Sequence, residues 1–299
     1  MTDSLEIEAI EAKAQSGRPL TRAEAERLMA SPNLAEVGRL AEAARKAHHG
    51  EVVTYGRVCE VARGALPVVG AAGEVRLVGT PASADEARQW VRDASETASG
   101  VPFTGFSLAD LVAIVGGDHL ALSAFAHALH ADGLEAVAEV PIDALGEMDN
   151  AVEVVRAVLH GGLGAWRLTV GRAAPGDRLA LIERAAAMQA ELGVFRAFAP
   201  LSREDAALSP STGFDDVRTI AAARLVAAGI PAIQVDWPLY GPKLAQVAIA
   251  FGADDIDGIA PGDAPNLGPR RAPVEDIERQ IRAAFAEPRQ RNGRYERRS

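Results

Sequence analysis

Phe214-Asp-Asp-Val-Arg-Thr-Ile-Ala-Ala-Ala-Arg-Leu-Val-Ala-Ala-Gly-Ile-Pro-Ala-Ile-Gln-Val-Asp236 decides the fold. Phe214 to Ala228 reads as an amphipathic helix, Gly229 and Pro231 stop it, and Ala232 to Asp236 is a short strand. The same unit repeats outward. Downstream, a helix over Pro242 to Phe251 leads to a strand over Asp255 to Ile259 and a last helix over Val274 to Phe285. Upstream, a helix over Gly176 to Leu192 joins strands at Trp166 to Val170 and Phe195 to Ala199. Further strand candidates lie at Glu51 to Val58, Val75 to Gly79, Val112 to Val115 and Ala136 to Val140. Alternation of this kind requires a parallel sheet, and eight candidate strands predict an α/β chain folded as a (β/α)8 TIM-type barrel. The Gly- and Ala-rich stretch from Gly64 to Gly73 separates the first two, so the barrel is expected to be distorted or incomplete there.

Residues 1–49 read as a helical lead-in packed on a barrel domain of residues 50–299, which ends in a helix and a basic tail. Thr21 with Glu24 forms a capping box at the start of one lead-in helix, and this segment has too few large apolar residues for a core of its own. With 299 residues, 48% of them hydrophobic, the chain can bury one large core. A net charge of −10 argues against a nucleic-acid partner, and the arginines between Arg289 and Arg298 read as a solvated polar tail. No apolar run reaches the ~20 residues of a bilayer span, and the N-terminus lacks the regions of a signal peptide. The expectation is a cytoplasmic protein with no membrane partner.

Gly241-Pro-Lys-Leu-Ala-Gln246, followed by Phe251-Gly-Ala-Asp-Asp-Ile-Asp-Gly258, resembles the signature of aminofutalosine synthases. These are radical S-adenosylmethionine (SAM) enzymes of menaquinone biosynthesis, grouped with dehypoxanthine futalosine cyclase and the deazaflavin (FO) synthases. Ser31-Pro-Asn-Leu with Gly38-Arg-Leu-Ala41 and His49-Gly50, Val115-Gly-Gly117 with His119, Phe195-Arg-Ala-Phe-Ala-Pro-Leu201, Thr212-Gly-Phe-Asp-Asp-Val-Arg-Thr-Ile220 and Trp237 follow in the family's order. The barrel fold is also what this resemblance implies.

One departure governs the chemistry. Radical SAM enzymes hold a [4Fe–4S] cluster through three thiolates spaced C-x3-C-x2-C, and this chain has a single cysteine, Cys59. Laid over that spacing with Cys59 first, the second and third ligand positions fall on Arg63 and Leu66; a lone buried cysteine is the other reading. Either way no cluster is expected. The family's Gly-His-x-Glu after a middle strand stands here as Gly171-Arg172-Ala-Ala.

In a parallel barrel the site lies at the C-terminal strand ends. That rule selects Gly116, Gly117, Asp118 and His119 as a turn open to a ligand, and the resemblance implies that it approaches SAM. Glu139, Asp143 and Arg172, with Ser202 and Arg203, give a rim of both signs suited to an anionic, hydroxyl-rich small molecule, and the first three are the candidates for catalysis. Asp236, Trp237 and Tyr240 offer a hydroxyl acceptor and flat faces, while Lys243 follows Gly241-Pro242 at a helix start. Asp254, Asp255 and Asp257 look like a metal cluster, but alternate strand residues face opposite ways. His127 and His130 lie on a helix outside the barrel, away from His119, so no metal site is expected.

Three functions follow. The chain binds SAM or a related nucleoside-type ligand, or a pathway partner, as a cluster-free paralogue in the futalosine route; or it performs non-radical acid–base chemistry on a futalosine- or chorismate-derived intermediate; or it is a non-catalytic subunit of an intact radical SAM paralogue. The absence of G-x-S-x-G, P-loop and G-x-G-x-x-G patterns removes the common hydrolase and nucleotide-binding alternatives.

Overall fold

The computed structural model describes residues 2–98, 100–203, 213–262 and 274–298. Helices α1 (Thr2–Ser16), α2 (Arg22–Ala30) and α3 (Leu34–His49) precede the sheet. The capping box is present: Thr21 N donates to Glu24 Oε2 at 2.7 Å and the Thr21 hydroxyl accepts from Glu24 N. Val37, Leu40, Ala41 and Ala44 of α3 are buried in the common core.

The remaining elements are β1 (Val52–Val61), β2 (Glu74–Leu77), α4 (Ala84–Ala98), β3 (Phe103–Ser107), α5 (Leu108–Ile114), α6 (His119–Ala131), β4 (Ala136–Pro141), α7 (Met148–His160), β5 (Gly164–Ala165), β6 (Arg167–Val170), α8 (Arg178–Leu192), β7 (Ala197–Ser202), α9 (Gly213–Val226), β8 (Ala232–Asp236), α10 (Trp237–Ile249), β9 (Asp255–Ile259), α11 (Val274–Ala283) and β10 (Glu287–Arg291). Strands pair in parallel in the order β1-β2-β3-β4-β6-β7-β8-β9, and β9 returns to β1 to close a (β/α)8 barrel. β5 pairs with the start of β4 and β6 with its end, so the two are halves of one barrel strand interrupted at Trp166.

Three sequence expectations are corrected. Val112–Val115 is the end of a helix and its C-cap: the third strand is Phe103–Ser107, and the apolar run after it coils into α5. A short apolar run fits a buried helix as well as a strand, and periodicity alone does not separate them. Second, β1 runs three residues past Val58 to Val61, which places Cys59 inside the ladder, opposite Val75.

Third, the arginine-rich tail is folded onto the barrel rather than free: Arg291 is buried, while Arg289, Arg294, Arg297 and Arg298 are exposed. β2 is short and covers only Val58–Val61 of β1, and β10 occupies the edge of β1 below it, from Val52 to Gly56. Gly293 N then donates to Gly73 O, joining the tail to the start of β2, and a Cβ on Gly73 would lie 2.6 Å from the Arg291 carbonyl. The irregularity expected at the first strands is therefore real, and β10 fills it. Among the described residues no single helix is long and apolar enough to cross a membrane.

Candidate functional site

Polar residues recur at every second position in several barrel strands: Glu74 and Arg76, Arg167 and Thr169, Gln234 and Asp236, Asp255 and Asp257. Period-2 alternation sends each pair to one face, and the contacts show that face to be the barrel interior. Asp257 accepts from Arg76 Nη1 at 2.8 Å, Arg167 Nη1 at 2.6 Å and Arg291 Nη2 at 2.7 Å. Arg76 also forks onto Glu74, whose carboxylate accepts from Thr104 Oγ1 at 2.7 Å. Asp255 receives Arg291 at 2.6 and 2.8 Å and Gln234 Nε2 at 2.7 Å. The Arg291 guanidinium lies 4.1 Å from the Tyr295 ring centroid, a cation–π contact. Burial opposes the charge on Asp257, but Arg76, Arg167 and Arg291 outweigh it and hold this carboxyl well below the usual range.

Above this network the interior opens into a cavity of about 250 Å³, lined in part by Glu60, Arg76, Asp110, Glu139, Arg167 and Arg203. It lies at the C-terminal strand ends. Arg203, just past β7, ion-pairs with Asp236 and sits 3.3 Å from Glu139, while Arg167 lies 3.7 Å from Glu139 and 3.8 Å from Asp236. Asp236 raises the affinity of Arg203 for its proton, against the effect of burial. Burial also pushes the Asp110 carboxyl up, and nearby Glu139 adds to this, whereas a 3.1 Å hydrogen bond from Thr80 Oγ1 works the other way. Phe106 in the cavity wall has φ of 61° and stacks edge-on against Trp90. A bulky residue in this region is strained, a feature that concentrates at functional sites.

The sequence candidates distribute unevenly around this cavity. Glu139 and Asp236 are brought together by Arg203 and Arg167. Tyr240 stands beside them and donates its hydroxyl to the Ser202 carbonyl. Trp237 is 1% exposed and its Nε1 has no hydrogen-bond partner among the described residues. Asp143 is exposed, and its two oxygens accept from the backbone N–H groups of Gly171 and Arg172, each at 2.8 Å, so it clasps the loop ends after β4 and β6. Arg172 is exposed.

Gly116 and Gly117, with φ of 64° and 80°, link α5 to α6 rather than ending a strand. Asp118 caps α6 and His119 Nε2 meets Asn150 Oδ1 at 3.2 Å. Gly241 has φ of 74° and breaks α10, and the exposed Lys243 follows that break. Thr212, which opens one of the resembled motifs, lies outside the described residues. Asp110, Glu60, Arg76 and Arg167 were missed as site residues. Alternating polar positions in otherwise apolar strands carried the signal for Arg76 and Arg167.

A [4Fe–4S] cluster does not fit the donors present. Cys59 is buried within the β1–β2 ladder, and burial raises its pKa despite a backbone hydrogen bond from Val68. Arg63 ion-pairs with Glu86 on α4, and Leu66 is 67% exposed. One thiol cannot replace three. Among the described residues, Asp254 turns outward to Arg224, and no group of three His, Cys, Asp or Glu side chains is arranged to hold a metal.

No protein-family model matches the chain. Over 143 residues it is 32% identical to aminodeoxyfutalosine synthase of Streptomyces coelicolor, a match covering 41% of this chain and 37% of that protein. Aminodeoxyfutalosine synthase of Thermus thermophilus is 36% identical over 91 residues, 27% of this chain and 24% of that one. A 5-amino-6-(D-ribitylamino)uracil–L-tyrosine 4-hydroxyphenyl transferase of Methanothermobacter thermautotrophicus is 38% identical over 104 residues, 32% of this chain and 28% of that one. The matched segments thus span about a quarter to over a third of the curated relatives. Among solved structures, methylornithine synthase (PylB) superposes with a TM-score of 0.69 at 14% identity, covering 93% of this chain and 97% of that one. HydG, a maturase of the [FeFe]-hydrogenase, gives 0.62 at 12% identity over 96% of this chain and 76% of that one. At these identities the likeness is one of fold.

Proposed function

We propose that this chain, a relative of the aminodeoxyfutalosine synthases and of the radical SAM family, binds a small nucleoside-type or other anionic, hydroxyl-rich molecule of the futalosine route to menaquinone at its barrel mouth, without radical chemistry. One observation carries the reading: Arg76, Arg167 and Arg203 meet Glu60, Asp110 and Glu139 around a single cavity at the catalytic end of the barrel. Cations there take carboxylate or phosphate groups, and carboxylates accept from hydroxyls or an amino group. The residues around Cys59 supply one thiolate where a cluster needs three. Trp237 is sealed beneath the mouth, so stacking on its indole is not part of the proposed contact.

The test is calorimetric titration of the full chain with SAM, 5′-deoxyadenosine, aminofutalosine and futalosine, alongside Arg203→Ala. Saturable binding of one of them, weakened tenfold or more by the substitution, supports the reading. Binding by none of the four, or binding indifferent to Arg203, removes it.

A second reading is non-radical acid–base catalysis at the same mouth. It is favoured by Asp110, whose carboxyl is pushed toward the protonated form by burial and by Glu139. Glu139 remains a candidate base from the sequence. Asp143, with both oxygens held by backbone amides, is better placed to shape the loop than to move a proton.

A further inference from the structure

A second cavity, of about 270 Å³, lies at the opposite end of the barrel, where the strands begin. Its wall includes His49 at the end of α3, Arg196 before β7, Asp254 before β9, and Arg294, Glu296 and Arg297 from the tail. The N-terminal face of such a barrel ordinarily serves stability, and its loops are short. Here the tail folds across it. Asn292 Oδ1 accepts from the N–H groups of Arg294 and Glu296, at 2.9 and 3.0 Å, and Tyr295 Oη is 3.1 Å from Gln234 Nε2 at the barrel floor. That turn fixes where the tail arginines stand.

The charges in this cavity are unequally satisfied. Asp254 accepts from Arg224 Nη2 at 2.5 Å and from Ile233 N at 2.8 Å, and Glu296 accepts from Asn292 Nδ2 at 2.8 Å. Arg294 pairs with Glu135 at 2.7 Å. Arg196 and Arg297 have neither an ion pair nor a side-chain hydrogen bond among the described residues. Behind the wall stand two fully buried arginines: Arg224 donates to Asp254 and to the Gly252 and Pro231 carbonyls, and Arg45 donates to the Gly50 carbonyl with Glu42 4.0 Å away, while Arg45 Nε and Nη2 have no hydrogen-bond partner among the described residues. In a chain of net charge −10 this end is locally cationic.

We propose that this floor cavity is a second ligand site, separate from the mouth, that takes a phosphate group, free or as a small phosphate monoester, between Arg196 and Arg297. Guanidinium forks match phosphate oxygens bidentately, and the cavity's carboxylates already have partners, so an arriving dianion meets free donors. The positive field of Arg45 and Arg224 supports the same sign.

The test is calorimetric titration of the full chain with inorganic phosphate and with AMP, at an ionic strength held constant with chloride. Both arginines are exposed, so Arg196→Ala/Arg297→Ala is expected to fold with an unchanged circular dichroism spectrum and Tm. Saturable binding of either probe, weakened tenfold or more in the double variant and unchanged in Arg203→Ala at the mouth, is the expected result. Binding of AMP but not of inorganic phosphate assigns the monoester; comparable binding of both assigns the phosphate group alone. Absence of saturable binding by both, or binding unaffected by the double substitution, overturns the site, as does binding lost on Arg203→Ala.

Discussion

Arg291, near the end of the chain, forks onto Asp255 of β9, with Nε and Nη2 placed 2.6 and 2.8 Å from the two carboxylate oxygens. The pair joins the last strand to the strand that closes the barrel. Arg291 is 1% exposed and Asp255 and Asp257 are fully buried, so the tail supplies a cation that the interior carboxylates need. Removing one member of a buried ion pair leaves the other charge uncompensated, at a cost of about 3–5 kcal/mol. Arg291→Ala is therefore expected to lower the stability measured by urea unfolding by about that amount. A loss under about 1 kcal/mol, the usual scale of an exposed pair, would mean that β10 is dispensable.

Asp257 gives the pH dependence. Its folded pKa lies well below its ordinary value of 3.8 because Arg76, Arg167 and Arg291 outweigh burial. A depressed carboxylate pKa contributes stability that is fully present above the unfolded value and is lost as pH falls through the folded one. Unfolding free energy should therefore decline steeply below about pH 4. Asp257→Asn should be less stable at neutral pH and show a shallower acid slope. Identical slopes in the two proteins would remove Asp257 as the source.

Asp110 has the opposite sign. Its folded pKa is raised, chiefly by burial, so ionisation of this group opposes folding, and stability falls as pH rises from the unfolded pKa through the folded one. Asp110→Asn keeps an acceptor for Thr80 and is expected to raise the Tm at pH 7 but leave it almost unchanged at pH 3. If Asp110 serves acid–base chemistry, the same variant loses turnover while gaining stability. A lower Tm at pH 7 contradicts the electrostatic assignment.

The legible parts of this structure were those written in backbone periodicity. The helix–turn–strand unit around Ile220 and Val235 recurs with the spacing that a parallel barrel imposes, and Thr21 with Glu24 announced its cap. Val112–Val115, the end of the helix over Leu108–Ile114, was misread because a helix buried on most sides and a strand buried on both faces present the same apolar run. Arg289, Arg294, Arg297 and Arg298 are exposed, as arginines near a terminus usually are, but Arg291 is buried, and only its pairing with acids over thirty residues away shows this. The position of Glu139 and Asp236 at the mouth follows from their strand ends. Arg76 and Arg167 sit within strands, where a charge is informative only once the inward face is known.

The sharpest prediction concerns the missing cluster. Anaerobic reconstitution of the wild-type chain with iron and sulfide should leave it colourless, because Cys59 is the sole thiol. Restoring cysteines by Arg63→Cys/Leu66→Cys should not change this. Three sulfurs must converge on one cluster, with neighbouring groups holding each ligand. Cys59 is fixed inside the β1–β2 ladder, whereas Arg63 reaches toward Glu86 on α4 and Leu66 faces solvent. The double variant is assayed for bound iron, for the absorbance of a reducible cluster, and for 5′-deoxyadenosine release from SAM under dithionite. About four irons per chain together with SAM cleavage would show that this loop can rearrange around the cluster, and that loss of ligands alone separates the chain from its radical relatives.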